Sequence, residues 1–137
     1  MADDRISADS GPALFVGLVD AAEAMRALRR ICAEHPAVVP DQVLLTTDLR
    51  EYAGSPTYEL YVDAESRAGR GYAWCWELRR EGVHWILERA VRLNDKNGQR
   101  TLLDLGPVEF DSTENLASRL PHLTRELVET FSKIEIA

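Results

Sequence analysis

The sequence predicts a two-layer α+β domain. A five-stranded antiparallel meander, with a short strand ahead of the first helix, is packed on one face by an N-terminal helix and a kinked C-terminal helix. Three observations carry this. Between residues 42 and 105, apolar and polar side chains alternate in successive short runs, the two-residue period of half-buried strands. From Leu116 onward, leucines recur at spacings of three and four, the period of one helix face. A chain of 137 residues, 45% of them hydrophobic, is enough for one core and too short for two ordinary domains.

Residues 1–12 are polar and small and close on Gly11-Pro12, which reads as a disordered tail ahead of a single domain over residues 13–137. The apolar run 13–19 reads as a short strand. Asp20 then stands as a helix N-cap with Glu23 three residues on, a capping box. The helix it opens covers residues 21–35, with Met25, Leu28, Ile31 and Cys32 on one face, and Pro36 ends it.

Strand-like runs follow at residues 42–50, 57–64, 72–79, 83–93 and 99–105. A two-residue loop at Glu81-Gly82 would pair Leu78 with Trp85, Trp76 with Leu87, Trp74 with Arg89 and Tyr72 with Val91. That register puts every large apolar side chain on one side of the sheet. Arg89 is the exception on that side and is placed to stack on Trp74. Asn97-Gly98 marks the next turn, and Gly106-Pro107 ends the last strand. Asp111-Ser112-Thr113-Glu114 is a helix start. Leu116, Leu120, Leu123, Leu127, Phe131 and Ile134 then line one face, and Pro121 predicts a kink or two helices joined near Leu120.

Charge narrows the function classes. Asp and Glu number 23 against 16 Lys and Arg, a net of -7 with a pI near 5.0. Such a chain repels phosphate backbones, so no nucleic-acid partner is expected. No apolar run reaches the ~20 residues of a membrane span, so no membrane role is expected either. The N-terminus lacks a basic stretch followed by an apolar one, which predicts a cytoplasmic protein. All basic residues except Lys96 and Lys133 are arginine, a skew associated with GC-rich bacterial genomes. Cys32 and Cys75 have no CxxC spacing and read as two thiols in a reducing compartment.

Motifs for catalysis are absent. His35, His84 and His122 form neither HxH nor HExxH, so no metal or other cofactor is expected. There is no GxSxG elbow. The hairpin register places Cys75 opposite Glu88 with His84 on the same face, a Cys–His–Glu set on paper; a half-buried strand thiol is the simpler reading. Gly69-Arg70-Gly71 lies between two strands rather than before a helix, so it lacks the context of a phosphate loop. No residue is assigned a catalytic role.

Two functional readings remain. In the first, the sheet face away from the tryptophans binds a partner, either another protein or a second copy of this chain. Tyr61, Glu77, Arg79, His84, Ile86 and Glu88 form that surface, with Glu59, Asp63 and Arg92 beside them and Arg100, Leu102 and Asp104 toward one edge. Small acidic chains of this kind include immunity proteins, antitoxin-like inhibitors and regulatory adaptors, a likeness of class without a diagnostic motif. In the second, Trp74, Trp76 and Trp85 line a ligand cavity beneath the C-terminal helix, with Arg89 as its polar group. The element order resembles START-like lipid-binding folds, in which a curved meander clasps a long C-terminal helix. The resemblance implies such a cavity, although this chain has one helix where those folds have two short ones. A filled core separates the first reading from the second.

Overall fold

A computed structural model describes residues 10–52 and 55–137. The chain forms α1 (Ser10–Glu34), β1 (Leu44–Tyr52), β2 (Ser55–Glu65), β3 (Gly71–Glu81), β4 (His84–Asp95), β5 (Gly98–Asp104), β6 (Val108–Phe110) and α2 (Thr113–Phe131), with a 3-10 turn at Pro40–Gln42. The strands pair antiparallel in the order β1-β2-β3-β4-β5, and β6 also pairs with β4. Both helices lie on one face of this sheet and touch each other, α1 over β1 and β2, α2 over β4 and β6. The α+β layering read from the sequence is the one the chain adopts.

The tryptophan side faces the helices, as alternation required. Trp74, Trp76 and Trp85 are at most 1% exposed, and Leu60, Val62, Leu78, Leu87 and Val91 share their side of the sheet. Buried indole N–H groups need acceptors. Trp74 Nε1 donates to the carbonyl oxygen of Phe131 at 3.2 Å, and Trp85 Nε1 to Thr113 Oγ1 at 3.0 Å. Both acceptors belong to α2, so that helix sits directly on the two rings. The chain end closes over the same core: Ile134 and Ile136 pack against it, and the Ala137 N–H donates to the Tyr72 hydroxyl at 3.0 Å.

The first helix departs from expectation. Residues 13–19 are not a strand but the second and third turns of α1. Leu14, Gly17 and Ala21 turn inward while Phe15, Val16 and Val19 face solvent, so the run has no polar side to betray a helical period. Asp20 and Glu23 therefore lie inside the helix, and Glu23 pairs with Arg26 instead of closing a cap. Gly11 and Pro12 belong to the first turn, where proline's missing N–H costs nothing. The rest of the expected tail, residues 1–9, lies outside the described residues. Gly17 fits where α1 crosses α2: a Cβ there would stand 2.7 Å from Leu120 Cδ2. Further along, Met25, Leu28 and Cys32 are buried as their spacing predicts, whereas Ile31 is exposed.

The β3–β4 hairpin corrects the register. Its loop is Gly82-Val83, with Glu81 opposite His84, Leu78 opposite Leu87, Trp76 opposite Arg89 and Trp74 opposite Val91. Gly82 has φ 65°. Placing glycine first in the loop supplies the left-handed residue without asking Glu81 to adopt it. The slip from the expected pairing is two residues, so every side chain keeps its face. Arg89 does not stack on Trp74. Its guanidinium reaches Glu126 of α2 at 3.5 Å, and Arg80 instead lies over the Trp85 ring, 5.8 Å from its centroid.

The far edge of the sheet is broken. β5 pairs with residues 90–95 of β4, and β6, which sequence periodicity is too coarse to reveal, continues the same edge along residues 85–87. A bulge falls between Thr101 and Leu103, and Gly106, at φ 74°, and Pro107 interrupt the edge before β6. The bulge moves Arg100 opposite Leu93, on the helix side, so it leaves the face expected for it.

In α2, Ser112 is the N-cap, its Oγ accepting from the Asn115 N–H at 3.0 Å. The helix runs unbroken through Pro121, which is exposed, so the expected division near Leu120 does not occur. Leu116, Leu120, Leu123, Leu127 and Phe131 are all buried, and this continuous apolar stripe holds the helix together across the lost hydrogen bond.

Candidate protein-binding face

Pairing across β1 to β4 builds the open face row by row. One row sets Asp48 opposite Glu59, Glu59 opposite Glu77, and Glu77 opposite Glu88. Four carboxylates thus stand in line across four adjacent strands, over about 14 Å at the usual strand spacing. The next row toward the β3–β4 turn carries Arg50, Thr57, Arg79, Ile86 and Glu109. The row on the other side carries Thr46, Tyr61, Cys75, Ala90 and Asp104. With Asp63 and Arg92 one row further, carboxylates outnumber arginines more than two to one on this surface.

Like charges directly opposite each other oppose sheet pairing. Two arginines relieve part of this. Arg50 Nε lies 3.6 Å from Glu59 Oε2 and also bonds Asp48. Arg79 reaches Glu88 Oε2 at 3.2 Å, Glu81 Oε1 at 3.3 Å and Glu77 Oε1 at 3.8 Å. Glu59 is only 7% exposed, and Tyr61 stands two residues along β2 on the same face. Burial, and then the neighbouring Glu59 carboxylate, push the Tyr61 phenol well above its ordinary range.

Glu77 feels the row most directly. Burial raises its carboxyl, Glu59 and Glu88 raise it further, and Arg79 and Arg92 pull the other way. A carboxyl that titrates higher in the fold than in the unfolded chain is held more tightly in its protonated form. Its cost to stability therefore sets in as pH rises through the ordinary value of 4.5 and is complete above the folded value. Glu77→Gln is expected to raise stability near neutral pH by ~0.5 kcal/mol, roughly 2 °C in Tm, with the gain vanishing in acid. Thermal melts of both forms across that pH range check it. A gain that grows in acid would contradict the repulsion.

The six side chains picked from the sequence all lie on this face, though not as one cluster. Glu77, Arg79 and Glu88 meet at its centre. Tyr61 is half-buried one row away. His84 is exposed at the hairpin end beside Glu81. Ile86 is 8% exposed, in register between Arg79 and Glu109, so it is not the exposed apolar centre the alternation suggested; charged stems on either side cover it. Asp48, Arg50 and Glu109 belong to the face and escaped sequence reading, since only the pairing of β1 and β6 brings them there.

A recess of about 160 Å³ opens in the middle of the face, walled by Tyr61, Cys75, Glu77, Glu88, Arg92 and Asp104. The paper Cys–His–Glu set does not form. Cys75 stands opposite Ala90, not Glu88, and His84 lies six residues along β4 from that pair, about 20 Å. Burial raises the Cys75 thiol, Asp63 and Glu77 add to this, and only Arg92 opposes. Such a thiol is a poor nucleophile. Among the described residues, no group of His, Cys, Asp and Glu is placed to hold a metal ion, and no helix is long and apolar enough to cross a membrane.

The tryptophan cavity fares differently from the open face. α2 fills the space over Trp74 and Trp85. Arg89, 4% exposed, reaches Glu126 of that helix through Nη1 at 3.5 Å, while its buried Nε finds no hydrogen-bond partner among the described residues. Trp76 borders an open groove, but beside α1 and β1 rather than beneath α2.

No family model matches this chain, and no significant match is found among curated proteins or solved structures.

Proposed function

We propose that this chain is a non-catalytic protein-binding module whose open sheet face docks a basic surface on another protein. The observation that carries the reading is the in-register row Asp48–Glu59–Glu77–Glu88. A sheet gains nothing for its own stability from four aligned carboxylates. Aligned on a rigid surface, they make a strip of negative potential that attracts and orients cations. The recess between Tyr61, Glu77, Glu88 and Asp104 offers carboxylate acceptors to one guanidinium, the group best suited to paired hydrogen bonds with carboxylates. Arg50 and Arg79 hold the acidic side chains in place, which lowers the entropy lost when a partner arrives. An immunity- or antitoxin-like inhibitor that covers a basic site, or a regulatory adaptor in a bacterial cytoplasm, is the class of protein this surface suits.

A nona-arginine peptide tests the reading. Titrated into isotopically labelled protein, it is expected to shift backbone resonances along residues 59–61, 75–77 and 88–92, and to bind more weakly as salt rises. Glu77→Lys with Glu88→Lys is expected to weaken binding by roughly tenfold or more. Reversal of Glu114 and Glu129, both on α2, leaves it unchanged. If the peptide binds the helix side equally well, or ignores the Glu77 and Glu88 reversal, the proposed docking face is wrong.

A further inference from the structure

We propose that the free edge of β1 pairs with the same edge of a second copy, joining two sheets across a twofold axis. The proposal rests on the β1–α1 border; it shares Asp48 and Arg50 with the docking face but does not require that face to bind a partner.

The two edges of the sheet are built differently. The β5/β6 edge carries a bulge and the Gly106-Pro107 break, devices that spoil strand addition. β1 pairs with β2 in unbroken register from Leu44 to Tyr52 and contains no proline or glycine. On its outer side, alternate backbone N–H and C=O groups face away from β2, and among the described residues no further strand receives them.

Apolar side chains gather at the same border. Of the large hydrophobics exposed on the described surface, Phe15, Val16 and Val19 lie on the first half of α1, and Leu44 and Leu49 lie on β1. Phe15 is 67% and Leu49 63% exposed. Phe15, Val19 and Leu49 line a groove of about 510 Å³ that reaches down to Tyr58 and Trp76. A helix this apolar on both sides is normally buried on both sides.

Charge chooses the occupant and the register. With the twofold axis at Leu49, antiparallel pairing sets Asp48 of each copy opposite Arg50 of the other, twice over, on the open side. Leu49 meets Leu49 on the helix side, beside the two grooves. With the axis one residue earlier, Asp48 would face Asp48, which repels. β1 is thus complementary to itself in hydrogen bonding, charge and apolar contact, as a twofold interface requires.

Sedimentation velocity and light scattering on the full chain, from micromolar to sub-millimolar concentration, are expected to give twice the 15.4 kDa chain mass. Leu49→Lys and Thr47→Pro are each expected to return the monomer mass while keeping the wild-type circular dichroism spectrum. In a Cys75→Ser background, Leu49→Cys is expected to form a disulfide-linked dimer on mild oxidation, and Leu102→Cys on the opposite edge is not. A monomeric wild type, a dimer that survives Leu49→Lys, or cross-linking through Leu102→Cys in place of Leu49→Cys each overturns the proposal. The Glu77→Lys, Glu88→Lys variant keeps the dimer mass, so failure of the docking face and failure of this edge give different results.

Discussion

Trp74→Ala is expected to lower the unfolding free energy by about 3–5 kcal/mol, the range for removing a large aromatic from a packed core. Trp74 has no exposed surface, lies in stacked contact with Tyr72 at 5.9 Å between centroids, and donates to the Phe131 carbonyl. Truncation removes the ring's contacts and the shorter of the two hydrogen bonds to that carbonyl, leaving it only the Ile134 N–H at 3.4 Å. For a domain of this size the loss corresponds to roughly 10–20 °C in Tm. It is a large share of the ~5–15 kcal/mol that holds most domains together. Chemical denaturation of the two forms measures it, with Tyr61→Ala, on the open face, as the control of smaller cost. A loss below about 1 kcal/mol for Trp74→Ala would mean that the sheet had been assigned the wrong inner side.

Gly17→Val is expected to cost about 1–3 kcal/mol through overpacking. The added carbon would stand 2.7 Å from Leu120 Cδ2 and 3.3 Å from Leu120 Cγ, and Leu120 has no exposed surface into which to retreat. A branched residue also loses rotamer freedom in a helix. Leu120→Ala in the same chain gives the fitting counterpart. The double variant is expected to be less unstable than the two single costs summed, because the smaller side chain makes room for the valine. Strict additivity in a double-mutant cycle would show that the two helices do not meet at Gly17.

These variants probe the part of the fold that was hardest to see beforehand. The strands announced themselves, because Tyr72, Trp74, Trp76 and Leu78 alternate with smaller or charged residues, and only one side of a sheet can bury three indoles. Residues 13–19 announced nothing. A helix with leucine and glycine toward its neighbour and phenylalanine and valine toward solvent looks the same, in seven letters, as a buried strand.

The open face was legible as a set of residues and illegible as an arrangement. Alternation alone put Glu77 and Glu88 on one side. Their alignment with Asp48 and Glu59 depends on three strand registers at once, and the expected hairpin loop would have set Glu77 opposite Ile86. A two-residue slip leaves each face unchanged and regroups every row, so a pattern that repeats every second residue cannot detect it. β6 is three residues long, below what any period can mark, yet it brings Glu109 beside Ile86.

The contrast between the two margins of the sheet also sets a limit on growth. A margin bulged within β5 and broken at Gly106-Pro107 gives an incoming chain no continuous template for hydrogen bonding, while the opposite margin runs clean from Leu44 to Tyr52. A body with one receptive side can couple once, and the product then has no receptive side left. Ordered stacking into fibrils would need both margins sticky, and here the covalent stiffness of a single proline helps keep the second one closed.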